Sequence, residues 1–312
     1  MKTPINIASP GHAFSGFSMA EIGGRIVLGL SWLLHWLPLP VLAWFARGLG
    51  KLLYCVGRSR RRVALKNLSV CFPALTAREH RRIARAHFCT FAQVVLEQCL
   101  LWWASDRRIL ALIQLHGLEH WRAVQSRPVI WLAPHFAGLD WTGLRLSLEG
   151  PIVSVYSKQN SELLNRILLK SRNRFNHAVL FSRQDGLRGV VKALRQNISF
   201  YYLPDLDFGR RDALFVPFFG LPAATVTGLS RIAQLTDAVV LPVIPRQLPG
   251  GRGYEVTIYP AWENFPSDDL AADTRRMNAF IEDRVKEMPE QYLWTHKRFK
   301  TRPIGEPRFY DD

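Results

Sequence analysis

Short apolar runs that alternate with amphipathic segments are the feature that most constrains the fold of this chain. Five runs have the length and composition of buried strands, at residues 129–132, 152–156, 198–203, 238–244 and 254–259. Segments with helical spacing lie between them, at residues 161–174, 187–196 and 227–235. Strands that alternate with helices predict an α/β fold, with a largely parallel or mixed central sheet flanked by helices.

The N-terminal region carries 21 consecutive uncharged residues, 26–46, between Arg25 and Arg47. As one continuous helix, this run would measure roughly 30 Å, which is about the thickness of a hydrocarbon core. Pro38 and Pro40 predict a break or a kink within it. We therefore expect a membrane-anchoring helical segment here, with a buried amphipathic hairpin as the alternative.

A basic cluster follows this run, and no acidic residue occurs between Glu21 and Glu79. Its members are Arg47, Lys51, Arg58, Arg60, Arg61, Arg62 and Lys66. Beside an apolar run, such a cluster indicates attraction to anionic head groups, and a solvated helix face is the alternative. The positive-inside rule then places the bulk of the protein on the cytoplasmic side of the membrane.

The overall composition excludes several classes of protein. Lys and Arg number 41 against 25 Asp and Glu, and this formal net charge of +16 favours an acidic partner such as nucleic acid, an anionic membrane or a phosphorylated substrate. A hydrophobic content of 48% excludes a disordered chain. Only four cysteines occur and none forms a CxxC pair, which excludes a disulfide scaffold and a zinc knuckle.

One histidine stands out by its position. His135 follows the predicted strand at 129–132, and Gly138 then leads into a predicted helix that carries Asp140. Open α/β sheets place their sites at the C-terminal ends of strands. We therefore predict that His135 is a general base oriented by Asp140, and that it deprotonates a substrate hydroxyl. The alternative is a purely structural histidine.

A competing motif, HxxEH, occurs at residues 116–120 and is known from inverted zinc proteases. That chemistry requires both histidines on one face of a helix, and Gly117 disfavours a rigid helix at this point. The sequence contains no GxSxG elbow, no P-loop and no GxGxxG after a strand. We therefore expect neither a metal nor a cofactor. All four cysteines lie before residue 100, away from His135, which disfavours a thiol nucleophile.

The stretch from residue 158 to residue 195 carries nine basic and two acidic residues. The basic residues are Lys158, Arg166, Lys170, Arg172, Arg174, Arg183, Arg188, Lys192 and Arg195. Because arginine forks match phosphate oxygens, the stretch indicates a phosphate-binding surface, with a solvated helix face as the alternative. A helical wheel does not separate Arg172 from Arg174. Further along, Asp205 lies in an acidic, glycine-containing loop after a predicted strand, a pattern that also fits an ordinary turn.

Taken in order, these motifs resemble the late acyltransferases of lipid A biosynthesis, the lauroyl- and myristoyltransferase family. The similarity runs along nearly the whole chain and includes residues 61–73, 135–140, 187–194, 204–209, 215–225 and 291–303. Many glycerolipid acyltransferases share the HxxxxD block, so the resemblance implies a fold of that type. The run Tyr-x-Trp-x-His-(Lys/Arg)-Arg-Phe-Lys, which begins at Tyr292, is far more specific to the family.

The resemblance implies a reaction and roles for several residues. A fatty acyl group would pass from acyl carrier protein to the 3-hydroxyl of a hydroxyacyl chain on a phosphorylated glucosamine disaccharide, usually one that already carries Kdo. His135 would act as the base with Asp140, although many members carry Glu at that position. The catalytic arginine of the family falls on Arg172 if one extra residue is allowed before Arg183, which leaves Arg174 as a rival. The implied substrate-binding residues are Arg174, Asp205, Lys158 and Arg183.

The resemblance also implies a setting. The partners would be acyl carrier protein, the phosphorylated glycolipid and the membrane, with no metal and no acyl-enzyme. Residues 1–62 would form the membrane anchor and its basic segment, and residues 63–312 the catalytic domain, facing the cytoplasm at the bacterial inner membrane. The alternatives are an acyltransferase acting on a lysophospholipid or another glycolipid and, more distantly, a basic membrane-bound nucleic-acid-binding protein. The apolar strands disfavour the last.

Overall fold

A computed structural model of the chain describes residues 19–156, 179–182 and 186–310. Five helices come first: α1 (Met19–Leu34), α2 (Leu39–Val56), α3 (Arg58–Cys71), α4 (Ala77–Trp103) and α5 (Asp106–Ala111). The later helices are α6 (Leu118–Arg122), α7 (Leu139–Leu146), α8 (Arg188–Leu194), α9 (Gly228–Thr236) and α10 (Leu270–Glu287). The strands are β1 (Ile113–His116), β2 (Val129–Leu132), β3 (Ile152–Tyr156), β4 (Val179–Ser182), β5 (Ser199–Tyr202), β6 (Ala213–Phe218), β7 (Leu221–Val226), β8 (Val239–Gln247) and β9 (Tyr254–Ile258).

Seven strands form one mixed sheet in the order β1-β9-β8-β2-β5-β3-β4. All neighbouring pairs are parallel except β8 and β9, which are antiparallel. The predicted α/β class with a largely parallel or mixed sheet is confirmed, and each of the five predicted runs forms a strand. The helix expected at residues 161–174 lies outside the described residues.

The apolar stretch at residues 215–225 forms a separate antiparallel hairpin of β6 and β7. Pro217 and Pro222 face each other across it, and prolines of this kind make a sequence look unlike a strand. The turn is made at Phe219 and Gly220, which have positive φ angles of 50° and 78°. Positive φ at both central residues is typical of tight hairpin turns.

Alternate side chains of the central strands fill two cores, one on each face of the sheet. Ile130 and Leu132 of β2 point into the first core, together with residues of α3, α4 and α10. Val129 and Trp131 point into the second, which includes Leu42 of α2. This alternation with period two is what a strand buried on both faces requires.

Helix α4 begins at a capping box, a Thr-x-x-Glu sequence at residues 76–79. Thr76 is its N-cap, and its hydroxyl accepts a hydrogen bond from the Glu79 amide at 3.3 Å. The Glu79 carboxylate accepts one from the Thr76 amide at 2.7 Å, which completes the capping box. The hydrogen bond from the backbone N–H of Thr76 lowers the pKa of the Glu79 carboxyl below its usual value.

The uncharged N-terminal run is divided between two helices. Helix α1 ends at Leu34, and α2 begins at Leu39 directly after Pro38, so the predicted break is confirmed. One face of α2 is buried along α4, where a Cβ on Gly50 would lie 2.4 Å from the Cα of Cys89. Among the described helices, α2 alone is long and apolar enough to cross a membrane by length and composition.

The boundary predicted between residues 62 and 63 falls inside α3, which is continuous from Arg58. The buried Leu42 of α2 belongs to the second core and Val63 of α3 to the first. The N-terminal helices and the sheet therefore share their cores from α2 onwards.

Candidate active site

Two neighbouring parallel strands bring the main polar groups of the site together. Strands β2 and β5 are hydrogen-bonded partners that end at Leu132 and Tyr202. His135 follows the first strand, and Asp205 follows the second. Because parallel strands end at the same edge of the sheet, the two side chains meet there although 70 residues separate them.

Asp205 holds His135 through two hydrogen bonds. Its Oδ2 accepts from the backbone N–H of His135 at 2.9 Å, and its Oδ1 lies 2.7 Å from the ring Nδ1. Asp205 is buried, and the His135 side chain keeps 17% of its surface exposed. An ionised carboxylate only accepts hydrogen bonds, so we assign the ring hydrogen to Nδ1 and the free lone pair to Nε2.

The charge state of Asp205 follows from its surroundings. Burial alone would raise its pKa, but the charge and hydrogen bonds of His135 outweigh burial and hold the pKa of this carboxyl below its usual range. Asp205 is therefore ionised at neutral pH. An ionised acceptor keeps the imidazole in one orientation and stabilises the imidazolium that forms when the base takes a proton.

Asp140 does not occupy the place that the sequence predicts for it. Nδ1 of His135 is bound by Asp205, whereas Oδ2 of Asp140 accepts a hydrogen bond from Nε2 of Gln98 at 3.1 Å. The reason is local: Gly138, with a φ of 91°, caps α7, and Asp140 in the first turn of that helix faces α4. The orienting carboxylate is thus the later aspartate, and we correct the predicted His135–Asp140 pair accordingly.

The C-terminal run, residues 291–303, packs against the loop that carries His135. The backbone N–H of Leu293 donates to the carbonyl of His135 at 3.1 Å, and that of Ala137 donates to the carbonyl of Gln291 at 2.8 Å. The ring of Tyr292 lies edge-on to Phe136, with 5.5 Å between centroids. Burial, and then the charge of Asp205, raises the pKa of Tyr292 far above its usual value.

Other motifs of the resemblance converge on the same run. Nδ2 of Asn67, from α3, donates to the carbonyls of Trp294 and His296, both at 2.8 Å. Asp207 accepts from the backbone and the hydroxyl of Thr301, both at 2.8 Å. Arg298 is buried and donates to the Ala224 carbonyl at 2.8 Å. The family motifs are therefore spatial neighbours, a relation that their order along the chain does not reveal.

His296 is a neutral partner in this arrangement. Burial, and then the nearby charge of Arg298, lowers its pKa to about 4. Its Nε2 accepts a hydrogen bond from the backbone N–H of Asp207 at 3.0 Å, which requires an unprotonated nitrogen. His296 thus fixes the loop after Asp205 without competing for protons at neutral pH.

A buried polar network supports the site from α4. Glu97 is fully buried, and its carboxylate accepts from the Tyr254 hydroxyl and from Nε2 of Gln93, the latter at 2.7 Å. The Tyr254 ring stacks on Trp141 at 5.0 Å. It also fills the space beside Gly138, where a Cβ would lie 2.7 Å from the ring. Glu97 therefore positions the ring of Tyr254, which packs against the loop at Gly138.

Glu97→Gln is expected to flatten the pH dependence of stability. Burial raises the pKa of Glu97 from 4.5 to about 7, so the folded state resists ionisation of this group. The wild type then loses stability as the pH rises from about 4.5 to about 7, by about 3 kcal/mol relative to the variant. Denaturant unfolding at pH 5 and pH 8 measures this difference. Glu119→Gln, on the exposed part of α6, is the control and should retain the wild-type dependence.

Four predicted site residues, Lys158, Arg172, Arg174 and Arg183, lie outside the described residues. Strand β3 precedes this part of the chain, and β4 lies within it. Both strands are parallel to each other and to β5. Both end at the sheet edge that carries His135.

The HxxEH motif is divided between two elements. His116 ends β1, Gly117 has a φ of 77°, and His120 lies on α6. The two histidines therefore do not share a helix, which the zinc site requires. Within residues 19–156, 179–182 and 186–310, no three His, Cys, Asp or Glu side chains are grouped so that they could hold a metal ion.

A histidine held by a buried carboxylate at the C-terminal edge of a parallel sheet region defines an α/β protein suited to general-base chemistry. The chain belongs to the bacterial lipid A biosynthesis acyltransferases, because the model of that family matches residues 17–301. It is thus an acyltransferase of lipid A biosynthesis.

Curated relatives agree with this assignment. The lipid A biosynthesis lauroyltransferase of Escherichia coli (strain K12) is 34% identical over 91% of this chain and 93% of its own length. The palmitoleoyltransferase of the same organism is 32% identical over 91% and 92% of the two chains, and the myristoyltransferase is 31% identical over 87% and 83%. Among solved structures, the 1-acyl-sn-glycerophosphate acyltransferase from Thermotoga maritima matches 80% of this chain and 95% of its own at a TM-score of 0.38 and 14% identity, a likeness too distant to carry an argument.

Proposed function

We propose that this enzyme transfers a fatty acyl group from acyl carrier protein to the 3-hydroxyl of a hydroxyacyl chain on a phosphorylated lipid A precursor. The observation that carries the proposal is the His135–Asp205 pair, which leaves Nε2 as a base at the sheet edge in a chain of this family. The relatives named for lauroyl, palmitoleoyl and myristoyl transfer support a fatty acyl donor.

The reaction is a direct transfer. Nε2 of His135 takes the proton of the acceptor hydroxyl, and the oxygen attacks the thioester carbonyl carbon. A tetrahedral intermediate forms, the C–S bond breaks, and the imidazolium returns its proton to the departing thiolate. Asp205 stabilises the imidazolium between these two steps. The proposed steps use neither a metal nor an acyl-enzyme.

The basic residues between residues 158 and 195 can supply the positive charge that the reaction needs. An anionic intermediate and a phosphorylated acceptor both need positively charged donors. Lys158, Arg172, Arg174 and Arg183 are the candidates, and Lys158 and Arg183 follow β3 and β4 within two residues of the strand ends. We assign oxyanion or phosphate stabilisation to Arg172 and acceptor binding to the other three.

The arginine assignment has a direct test. Arg172→Ala should lower kcat/KM with a phosphorylated acceptor by ten- to a hundredfold, because a bidentate charge-assisted contact is worth roughly 1.5–3 kcal/mol. Arg172→Lys should recover little, since an ammonium cannot reproduce the fork. Arg174→Ala is the matched control with a smaller expected loss. A larger loss at Arg174 would exchange the two roles.

The N-terminal helices support attachment to the bacterial inner membrane. The outward face of α2 exposes Trp44 and Phe45, α1 exposes Leu33, and the turn between the two helices exposes Trp36. Exposed apolar surface of this extent marks contact with a membrane or a partner. The basic cluster, which lies on the second half of α2 and on α3, fits a cytoplasmic orientation.

The proposed function is tested by mass spectrometry of the acceptor. Purified enzyme is incubated with an acyl carrier protein thioester and a phosphorylated disaccharide lipid that has free 3-hydroxyl groups. The acceptor should gain the mass of one acyl chain, and fragmentation should place it on a hydroxyacyl chain. A parallel reaction with a lysophospholipid is the control. Acylation of the lysophospholipid alone would replace the proposed acceptor.

A further inference from the structure

A basic pocket lies apart from the loop that carries His135. It is a cavity of about 610 Å³ between α3, the first turns of α4 and the segment that follows the sheet. Four cations line it: Arg62, Lys66, Arg81 and Lys297. None of its lining residues belongs to the His135–Asp205 pair or to the Glu97 network.

The cations that α3 and α4 contribute to this pocket face no acidic side chain of its lining. Among the described residues, the lining contains no Asp or Glu. Within the part of the chain that the structure describes, neither Arg62 nor Arg81 forms an ion pair with a carboxylate. The only nearby acid of the first turn of α4, Glu79, is engaged in the capping box. The cations of α3 and α4 therefore remain available to an anionic ligand.

The walls of the pocket combine hydrogen-bond donors with apolar surface. Ser59 and Ser69 supply hydroxyl groups, and Phe309 supplies a ring over which Nζ of Lys66 lies at 5.4 Å. Tyr310 closes one side, and its hydroxyl is bonded to Asn67, which is itself tied to the C-terminal run. This connection to the core gives the pocket a fixed wall, and its mixture of groups fits a phosphate attached to an organic chain.

The pocket follows the exposed apolar end of α2 closely along the chain. Helix α2 ends at Val56, whose side chain is 63% exposed, and Ser59 of the pocket follows three residues later. Leu52, one turn earlier on α2, is also exposed. Apolar surface suited to the acyl chains of a lipid is therefore followed within a few residues by cations suited to its head group.

We propose that this pocket binds the phosphate of an anionic membrane phospholipid and thereby fixes the orientation of the enzyme on the bilayer. Arginine forks bind phosphate oxygens in pairs, and lysine adds a point charge. The inference rests on the membrane attachment proposed above. It adds a specific lipid site to an attraction that would otherwise be diffuse.

The first test compares a double variant of the pocket with a control variant that loses the same charge elsewhere. Arg62→Gln/Lys66→Gln alters the pocket, and Arg122→Gln/Arg127→Gln removes the same charge from exposed positions that precede β2, at the opposite edge of the sheet. Binding to phosphatidylcholine vesicles with and without phosphatidylglycerol is measured by flotation. The pocket variant should bind the phosphatidylglycerol vesicles about tenfold more weakly, and the control should stay near the wild type. Equal losses in both variants would overturn the proposal in favour of net charge.

The second test blocks the pocket without changing its charge. Ser69→Trp places a large side chain at an exposed position of its lining, and circular dichroism checks that the helices are retained. Selective binding to phosphatidylglycerol should fall, whereas binding to phosphatidylcholine through α2 should persist. Wild-type selectivity in Ser69→Trp would show that the cations act only as a diffuse basic face, and would overturn the lipid site.

Two further outcomes separate this proposal from the proposed function. If the wild type binds both vesicles equally and still acylates its acceptor, the lipid site fails while the acyltransferase assignment stands. If the pocket variants bind vesicles normally but show a raised KM for the acyl carrier protein thioester, the pocket belongs to the acidic carrier protein and the lipid proposal is overturned. Failure of all acyl transfer with intact lipid selectivity would instead reject the proposed reaction.

Discussion

His135→Ala is expected to lower kcat/KM for acyl transfer by about 10²–10⁴-fold, the contribution usual for a positioned general base. The lone pair on Nε2 is the proton acceptor that the geometry provides at the sheet edge, because Nδ1 is engaged with Asp205. The imidazole is partly exposed, so its removal should leave the fold intact. Initial rates at saturating thioester, together with the melting temperature, measure both effects.

A second histidine serves as the control for this experiment. His120→Ala changes the HxxEH motif on α6, which the proposed chemistry does not use. Its rate should remain near that of the wild type. A His135→Ala enzyme that keeps at least a third of the activity would show that His135 is not the general base. A large loss in His120→Ala would support a functional role for the HxxEH motif.

Asp205→Asn is expected to be nearly as harmful, with a loss on the order of 10³-fold. In the wild type, both oxygens of Asp205 accept a hydrogen bond, one from the backbone N–H of His135 and one from its ring. An asparagine has only one acceptor oxygen, so its amide NH₂ must face one of these donors. Either the loop loses its backbone bond, or the ring hydrogen moves to Nε2 and the base is lost.

The matched control for this variant is Asp140→Asn. Asp140 accepts from the amide of Gln98, and an asparagine oxygen can accept the same bond. We therefore expect a loss within about tenfold, well below that of Asp205→Asn. Comparison of kcat for the two variants at equal thermal stability decides the question. The reverse order would restore the orienting role that the sequence predicts for Asp140.

The sequence predicts the position of His135 in the site but not the carboxylate that is hydrogen-bonded to it. His135 is predictable because a histidine that follows a buried strand stands at the functional edge of an α/β sheet. Its partner is not predictable from spacing, since Asp140 is five residues away and Asp205 is seventy. The contact depends on β2 and β5 being neighbours in the sheet, and strand order is a property of the whole fold.

The elements that escaped prediction have physical reasons as well. Strand β1 has only four residues at the edge of the sheet, two of them exposed, which is too short to show a period. The β6–β7 hairpin carries prolines at positions where a sequence pattern indicates a loop. Strands β2 and β8, by contrast, are buried on both faces, so their composition alone identifies them.

The hydrogen bonds between residues 291–293 and the loop at 135–137 have a consequence for the order of synthesis. Every strand of the central sheet is translated before residue 291 emerges. Helices α1 and α2 emerge earlier still, so the nascent chain presents its apolar surface to the membrane while the loop around His135 lacks these bonds. Domains fold as units while the chain grows. With the membrane attachment proposed above, the enzyme reaches the membrane first and completes the loop around His135 last.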